Sequence, residues 1–178
     1  MAVERLSLRD VRRNVKYGAL AGHIAAWSIF GLIFAVDLLL RMEPGTFYSV
    51  IGLTLGADVT AAVFVGFVLH LFTGTVIGLL FGYITTIVKS FNMASVPKAF
   101  GLAMLTGIVS WAVLFLPITI FAVQPALPEI SVALDQPRLL EVAPEILAGA
   151  IGMHVIYGGM LGLMYLMAVF PSSRDYED

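Results

Sequence analysis

Three histidines, His23, His70 and His154, are the residues of this chain best able to do chemistry in apolar surroundings. His70 belongs to a run with a small residue or a histidine at every fourth position, Gly66, His70, Gly74, Gly78 and Gly82, and Ala150, His154, Gly158 and Gly162 repeat the pattern. An ionisable side chain inside a membrane-crossing helix is costly and marks a functional site by default. Two imidazoles at matched depth on two helices, His70 and His154, form a pair of axial ligands for a haem b iron, with the glycines leaving room for the flat macrocycle. The same pair could hold a metal ion, although a closed site needs three or four protein ligands, and no cysteine or carboxylate stands nearby to complete one. A proton relay is a further use. The plainest use is structural: each neutral histidine bonds a carbonyl or hydroxyl of a neighbouring helix, with Thr73, Tyr157, Thr106 and Ser110 as partners of the right type.

The elements that must position these residues are four stretches without a charged side chain, 17–36, 59–88, 99–128 and 146–173. Each reaches the ~20 apolar residues that a helix rising ~1.5 Å per residue needs to cross a ~30 Å hydrocarbon layer. With 60% hydrophobic and 12% charged residues and a mean hydropathy of +0.96, the chain lies outside the range of soluble domains. The expected fold is all-α, a transmembrane four-helix bundle of two tandem helical hairpins. Counting from the flanking charges puts His70 and His154 in the outer half of the bilayer, able to face each other, and His23 nearer the cytoplasm.

Lys and Arg favour the cytoplasmic side. Arg5, Arg9, Arg12, Arg13 and Lys16 precede the first stretch and Lys89 and Lys98 flank the turn between the second and third, whereas the other two loops carry mostly acidic residues. Both termini are therefore expected in the cytoplasm of a multi-pass cell-membrane protein, with a basic arm (1–16), a four-span domain (17–170) and a short tail (171–178). The polar arm is long and no small-residue cleavage site precedes Asp37, so the first span reads as an uncleaved anchor. In the arm, Leu6, Leu8, Val11 and Val15 have the spacing of an amphipathic foot. The loop 37–58 is apolar enough for a short interfacial helix, and in the loop after the third span Pro128, Pro137 and Pro144 suit the first positions of short helical turns. The two loops are expected to cap the bundle or to meet another subunit.

One fixed offset brings Trp27 onto Trp111, His70 onto His154, Gly74 onto Gly158, Gly78 onto Gly162 and Leu79 onto Leu163, as a parallel internal repeat would. Gly66, Gly74, Gly78, Gly82, Gly158 and Gly162 form ridges that let helix backbones approach closely, which places the tight core between the second and fourth spans.

Several function classes are excluded or weakened. The lack of cysteine removes disulfides and thiolate chemistry, and a formal charge of −2 gives no reason to expect nucleic acid. Phosphate-binding loops and nucleophile elbows are missing, so catalysis is not expected. Spans free of Asp, Glu, Lys and Arg argue against an ion-coupled transporter. A small-solute channel or carrier lined by hydroxyls and histidine stays open, as does the haem-binding electron carrier. The leading expectation is a small integral membrane subunit or scaffold that associates in the lipid bilayer with itself or with other membrane subunits. Through His70, Gly74, Gly78 and Leu79 and again through His154, Gly158, Gly162 and Leu163, the chain resembles small prokaryotic four-span membrane proteins of unknown function that carry His-x-x-x-Gly-x-x-x-Gly-Leu helices. The likeness covers 17–170 and implies the four-span fold but no activity.

Overall fold

The computed structural model describes residues 8–91 and 95–169. The start of the basic arm, with Arg5 and Leu6, and the tail 171–178 lie outside the described residues. Five helices follow one another: α1 (Leu8–Leu39), α2 (Thr46–Thr54), α3 (Val59–Ile87), α4 (Val96–Ala133) and α5 (Arg138–Val169). All but α2 are long and apolar enough to cross a membrane, and large apolar side chains such as Phe64, Phe72, Leu105 and Met167 cover their outer faces. The fold is an all-α bundle, and the architecture is that of a multi-pass membrane protein. From Leu8 the arm is helical and continuous with the first span.

Local signals set the helix ends. Asp58 caps α3, its carboxylate accepting the Ala61 N–H at 2.9 Å and the Thr60 hydroxyl, and these two bonds hold its pKa below the usual carboxylate range. Arg41 closes α1 in the left-handed region (φ 59°), with the Met42 N–H reaching the Asp37 carbonyl and the Arg41 N–H reaching Leu38. The N-terminus of α2 follows Gly45 (φ 93°), which has no side chain to cap it. Asp37 supplies the cap from the end of α1: it is buried, and its carboxylate accepts the Gly45 N–H at 2.9 Å with Thr46 and Phe47 alongside.

Pro137 stands where a helix opens, directly before α5, as its type suggests. Pro128 and Pro144 behave differently from expectation and do not open short turns in a long loop. Pro125 and Pro128 lie inside α4 and Pro144 inside α5, leaving only 134–137 as the connection. A proline has no N–H and its ring strikes the carbonyl four residues back. In α4 two π-helical turns, Trp111–Phe115 and Thr119–Val123, each end just before a proline, Pro117 and Pro125, and the wider register moves the carbonyls away from the rings. In lipid, unpaired backbone has no water to turn to, so the helix distorts before it breaks.

The glycine ridges also find other partners than the sequence suggested. The second and fourth spans, α3 and α5, meet only through long side chains, Phe81 against Tyr165 (centroids 5.3 Å) and Tyr157 against the Gly74 carbonyl. The ridge of α3 packs on α1: a methyl group at Gly78 would strike the Gly18 carbonyl and lie 2.7 Å from the Gly22 Cα, and one at Gly82 would strike the Asn14 carbonyl. Gly66 instead lies against the Tyr48 carbonyl of α2. Gly158 and Gly162 of α5 face Ala103 and Phe100 of α4, while Gly107 of α4 faces the His154 carbonyl. Each ridge thus closes its own hairpin. The sequence carries the reason, since α1 has Gly18, Ala21, Gly22, Ala25 and Ala26 and α4 has Ala99, Ala103 and Gly107, complementary small faces on the nearer partner. One core of alanines, Tyr157, Leu161 and Tyr165 then joins the hairpins. A second, of Met42, Val50, Leu127, Ile130, Leu139 and Val142, gathers α2 and the facing ends of α4 and α5 into a cap.

Two outcomes follow from these contacts. Gly78→Ala will lower stability by more than about 2 kcal/mol, because overpacking against backbone cannot relax by a rotamer change, whereas Gly152→Ala, whose added methyl meets open space, will be neutral or gain a few tenths of a kcal/mol from helix propensity; denaturant unfolding in mixed micelles separates them. Asp37→Ala will cost about 1–3 kcal/mol, the penalty for a buried N–H left without its acceptor, read as a lower melting temperature than that of Asp37→Asn, which keeps one acceptor oxygen.

Candidate functional site

At the cap end of the bundle the helices part around a cavity of about 300 Å³, within the lower range of small-ligand sites. It is bounded by α1, α3, α5 and the π-helical part of α4, with Phe47 and Ile51 of α2 across its mouth. The α1 residues along it, from Ala26 to Asp37, cover roughly 16 Å at ~1.5 Å per residue, so the space is long and narrow. Ile29, Ile33, Leu69, Leu114, Ile118 and Ile146 make its walls apolar. Polar groups stand at two levels: Asp37, Thr119 and Glu145 near the mouth, and His70, Thr73, Ser110, His154 and Tyr157 deeper in.

His70 and His154 thus line one cavity. His70 Nε2 lies 3.2 Å from the Ala26 carbonyl of α1, and His154 Nδ1 lies 2.8 Å from the Ala150 carbonyl of its own helix. A carbonyl can only accept, so each of these nitrogens carries the proton. In the neutral rings the other nitrogen, Nδ1 of His70 and Nε2 of His154, is then a bare acceptor. Neither has a protein partner and neither is among the sealed polar atoms, and both rings line the cavity. Aromatic rings steady the two imidazoles, Tyr48 edge-on to His70 at 5.5 Å and Phe115 against His154 at 5.2 Å.

His23 does not join them. The Trp27 indole N–H donates to its Nε2 at 3.1 Å, which leaves Nδ1 as the donor to Thr75 Oγ1 at 3.0 Å, and Thr75 donates onward to the Leu71 carbonyl. Every polar atom of that ring is used. The hydroxyls proposed as histidine partners are engaged elsewhere: Thr106 with Leu102, Ser110 with Thr106, and Tyr157 with the Gly74 carbonyl at 2.7 Å. Thr73 has no partner and lines the cavity. The space beside Gly74 and Gly158 is filled by Ala26, Ala103 and Met104, so these glycines do not open room for a macrocycle. No group of three His, Cys, Asp or Glu that could hold a metal ion occurs among the described residues.

The matched positions of the two halves play different parts. Trp27 is bonded and packs on Phe67, while the buried Trp111 Nε1 has no partner; His70 reaches across to α1 while His154 bonds within α5. The chain matches no protein-family model, no curated protein and no solved structure. What the site does is therefore argued from its geometry.

Sequence reasoning missed Asp37 and Tyr48. Asp37 counted only as an outer-loop charge, although a carboxylate ahead of a helix that opens with a bare glycine is the signal for a distant cap. Tyr48 is fully buried with an unpartnered hydroxyl, whose pKa is pushed up by burial and then by the nearby Asp37; nothing in its apolar loop announces this. The chain of bonds at His23 yields a test. Thr75→Val will cost about 1 kcal/mol, the usual size of an interhelical bond in a membrane protein, and Thr75→Ser will restore it, read by thermal unfolding in detergent.

Proposed function

We propose that this chain is a small, non-catalytic integral membrane subunit that holds one small, largely apolar molecule in the cavity between its two hairpins, and that it works in the cell membrane with copies of itself or with other membrane subunits, both termini in the cytoplasm. The observation that carries the reading is the pair of unpartnered imidazole nitrogens at the deep end of an apolar cavity. An acceptor left unmade costs up to about 1–3 kcal/mol where it is kept from water, and a helix bundle has little reason to keep two of them in one apolar space unless something completes them. The distribution of Lys and Arg supports the orientation. The tandem-repeat reading rests on the Trp and His offsets and on the like construction of the two hairpins.

A bis-histidine haem is the second reading, favoured by the shared cavity of His70 and His154. His154 offers Nε2, with Nδ1–H held by a carbonyl as ligating histidines commonly have it. His70 offers Nδ1, the nitrogen next to its own Cβ, a harder approach for a flat macrocycle. A pore is the weakest reading, since toward the termini α1 and α3 are in backbone contact.

Native mass spectrometry of the protein extracted from its own membranes in mild detergent tests the proposal. The expected spectrum shows a bound non-protein mass on the folded chain that disappears in Thr73→Phe, which fills the cavity, while the melting temperature is held or rises. A mass matching haem with a visible absorption band lost in His154→Ala would put the second reading first. Bare protein throughout, or an adduct indifferent to Thr73→Phe, would overturn the cavity reading.

A further inference from the structure

The cavity reading can be taken to the chemistry of the occupant, and this inference rests on it. Both imidazole protons are already committed to backbone carbonyls, Ala26 for His70 and Ala150 for His154. The deep end therefore presents two acceptors and no imidazole donor. A carbonyl-ended molecule such as a quinone, ester or aldehyde would set oxygen lone pairs against nitrogen lone pairs. An organic cation would satisfy the acceptors but would bring an unneutralised charge to a level where no carboxylate lines the cavity, since Asp37 and Glu145 stand near the mouth and Asp37 is occupied by the start of α2; such a charge is expensive at membrane depth. A neutral molecule with hydroxyl donors meets neither objection. We infer that the site takes a neutral amphiphile that enters with its polar end inward, donates one O–H hydrogen bond to His70 Nδ1 and one to His154 Nε2, and lays its apolar body along the corridor of Ile29, Ile33, Leu114 and Ile146.

The class is thus a lipophilic diol, of which the reduced, hydroxyl-bearing form of a quinone and a diol-ended lipid are two sources. Thr73 and Thr119, unpartnered hydroxyls that also line the cavity, can each donate or accept and do not change the balance. The inference also separates the two redox forms of a quinone: the quinol fits and the quinone does not.

Pentylresorcinol and its dimethyl ether share ring and tail and differ in the two donors and the methyl groups that replace them, so their affinities for the purified full chain in detergent, measured by calorimetry, read the inference once the histidine variants separate the lost donors from the added bulk. The diol is expected to bind at least tenfold tighter, the least that leaving acceptors unpaired would produce. That advantage should shrink in His154→Leu, which gives up only a bond to a carbonyl of its own helix, and in His70→Leu. Because the quantity compared is a ratio within each variant, a change in overall stability does not imitate the effect, and His154→Leu carries the test where His70→Leu fails to fold. Equal affinity for diol and ether would overturn the donor inference and leave the cavity reading standing. Failure of both to bind would remove the cavity reading as well. A diol preference that survives in both histidine variants would overturn the assignment to His70 and His154. Decylhydroquinone and an alkane diol, run side by side, then tell whether the donors are carried on a ring or on a chain.

Discussion

The structure depends on the backbone-to-backbone approach of α1 and α3. Gly18 and Gly22 on one helix and Gly74, Gly78 and Gly82 on the other bring the two backbones together: the Gly78 and Gly74 carbonyls sit where a Cβ of Gly18 and Gly22 would be, and the Gly18 and Asn14 carbonyls where one of Gly78 and Gly82 would be. In lipid, apolar side chains gain nothing by leaving one apolar surrounding for another, so helices associate through close packing and polar contacts. A glycine seam maximises the first. It also fixes the depth and rotation of both helices, and with them the direction of everything α3 carries: His70 toward α1, Thr75 toward His23, Gly66 toward α2.

The cavity is the complement of that seam. Toward the termini, small residues draw the paired helices together on both sides of the bundle, Gly78 on Gly18 and Gly158 on Ala103. Toward the cap, α4 follows a different rule. Its two π-helical turns bury almost nothing, Val123 alone among their residues, and bulky Leu114, Phe115 and Ile118 stand where the lower half has alanine and glycine. The bundle is tight where it is small-residued and open where it is proline-bent, and the loop connections close the open end with Asp37, α2 and the corner of Gln136 and Arg138, which bonds the Leu40 carbonyl at 2.6 Å.

Much of this was legible in the sequence because the membrane imposes it. A stretch without charge and long enough to cross must be helical, so the four spans could be read directly. The depth of His70 and His154 followed from counting residues, and so did the separation of His23. The partner of each ridge was not legible, because a small-residue pattern states that a helix can be approached closely and leaves open by which helix; the smaller faces of α1 and α4 were present but less regular. The proline-rich segment was misread because the same residues that end a helix in water are accommodated within it in lipid. Asp37 was misread because a charge at the edge of a span is indistinguishable by type from one in a loop, and only the missing cap at Gly45 tells them apart.

The contrast between His23 and the other two histidines gives the site its meaning. All three rings stand in an apolar setting, and the general cost of unpaired polar groups in lipid applies equally to each. At His23 the fold closes the account of hydrogen bonds on both sides of the ring, through Trp27 and Thr75, so a fully satisfied histidine is within the reach of this bundle. At His70 and His154 one side is closed by backbone and the other left without a partner, and both rings line the same space. A single open acceptor is an accident that packing easily leaves behind. Two open acceptors on rings that line one apolar cavity place the same requirement on whatever enters it, and that shared requirement is the case for reading the pair as a binding site.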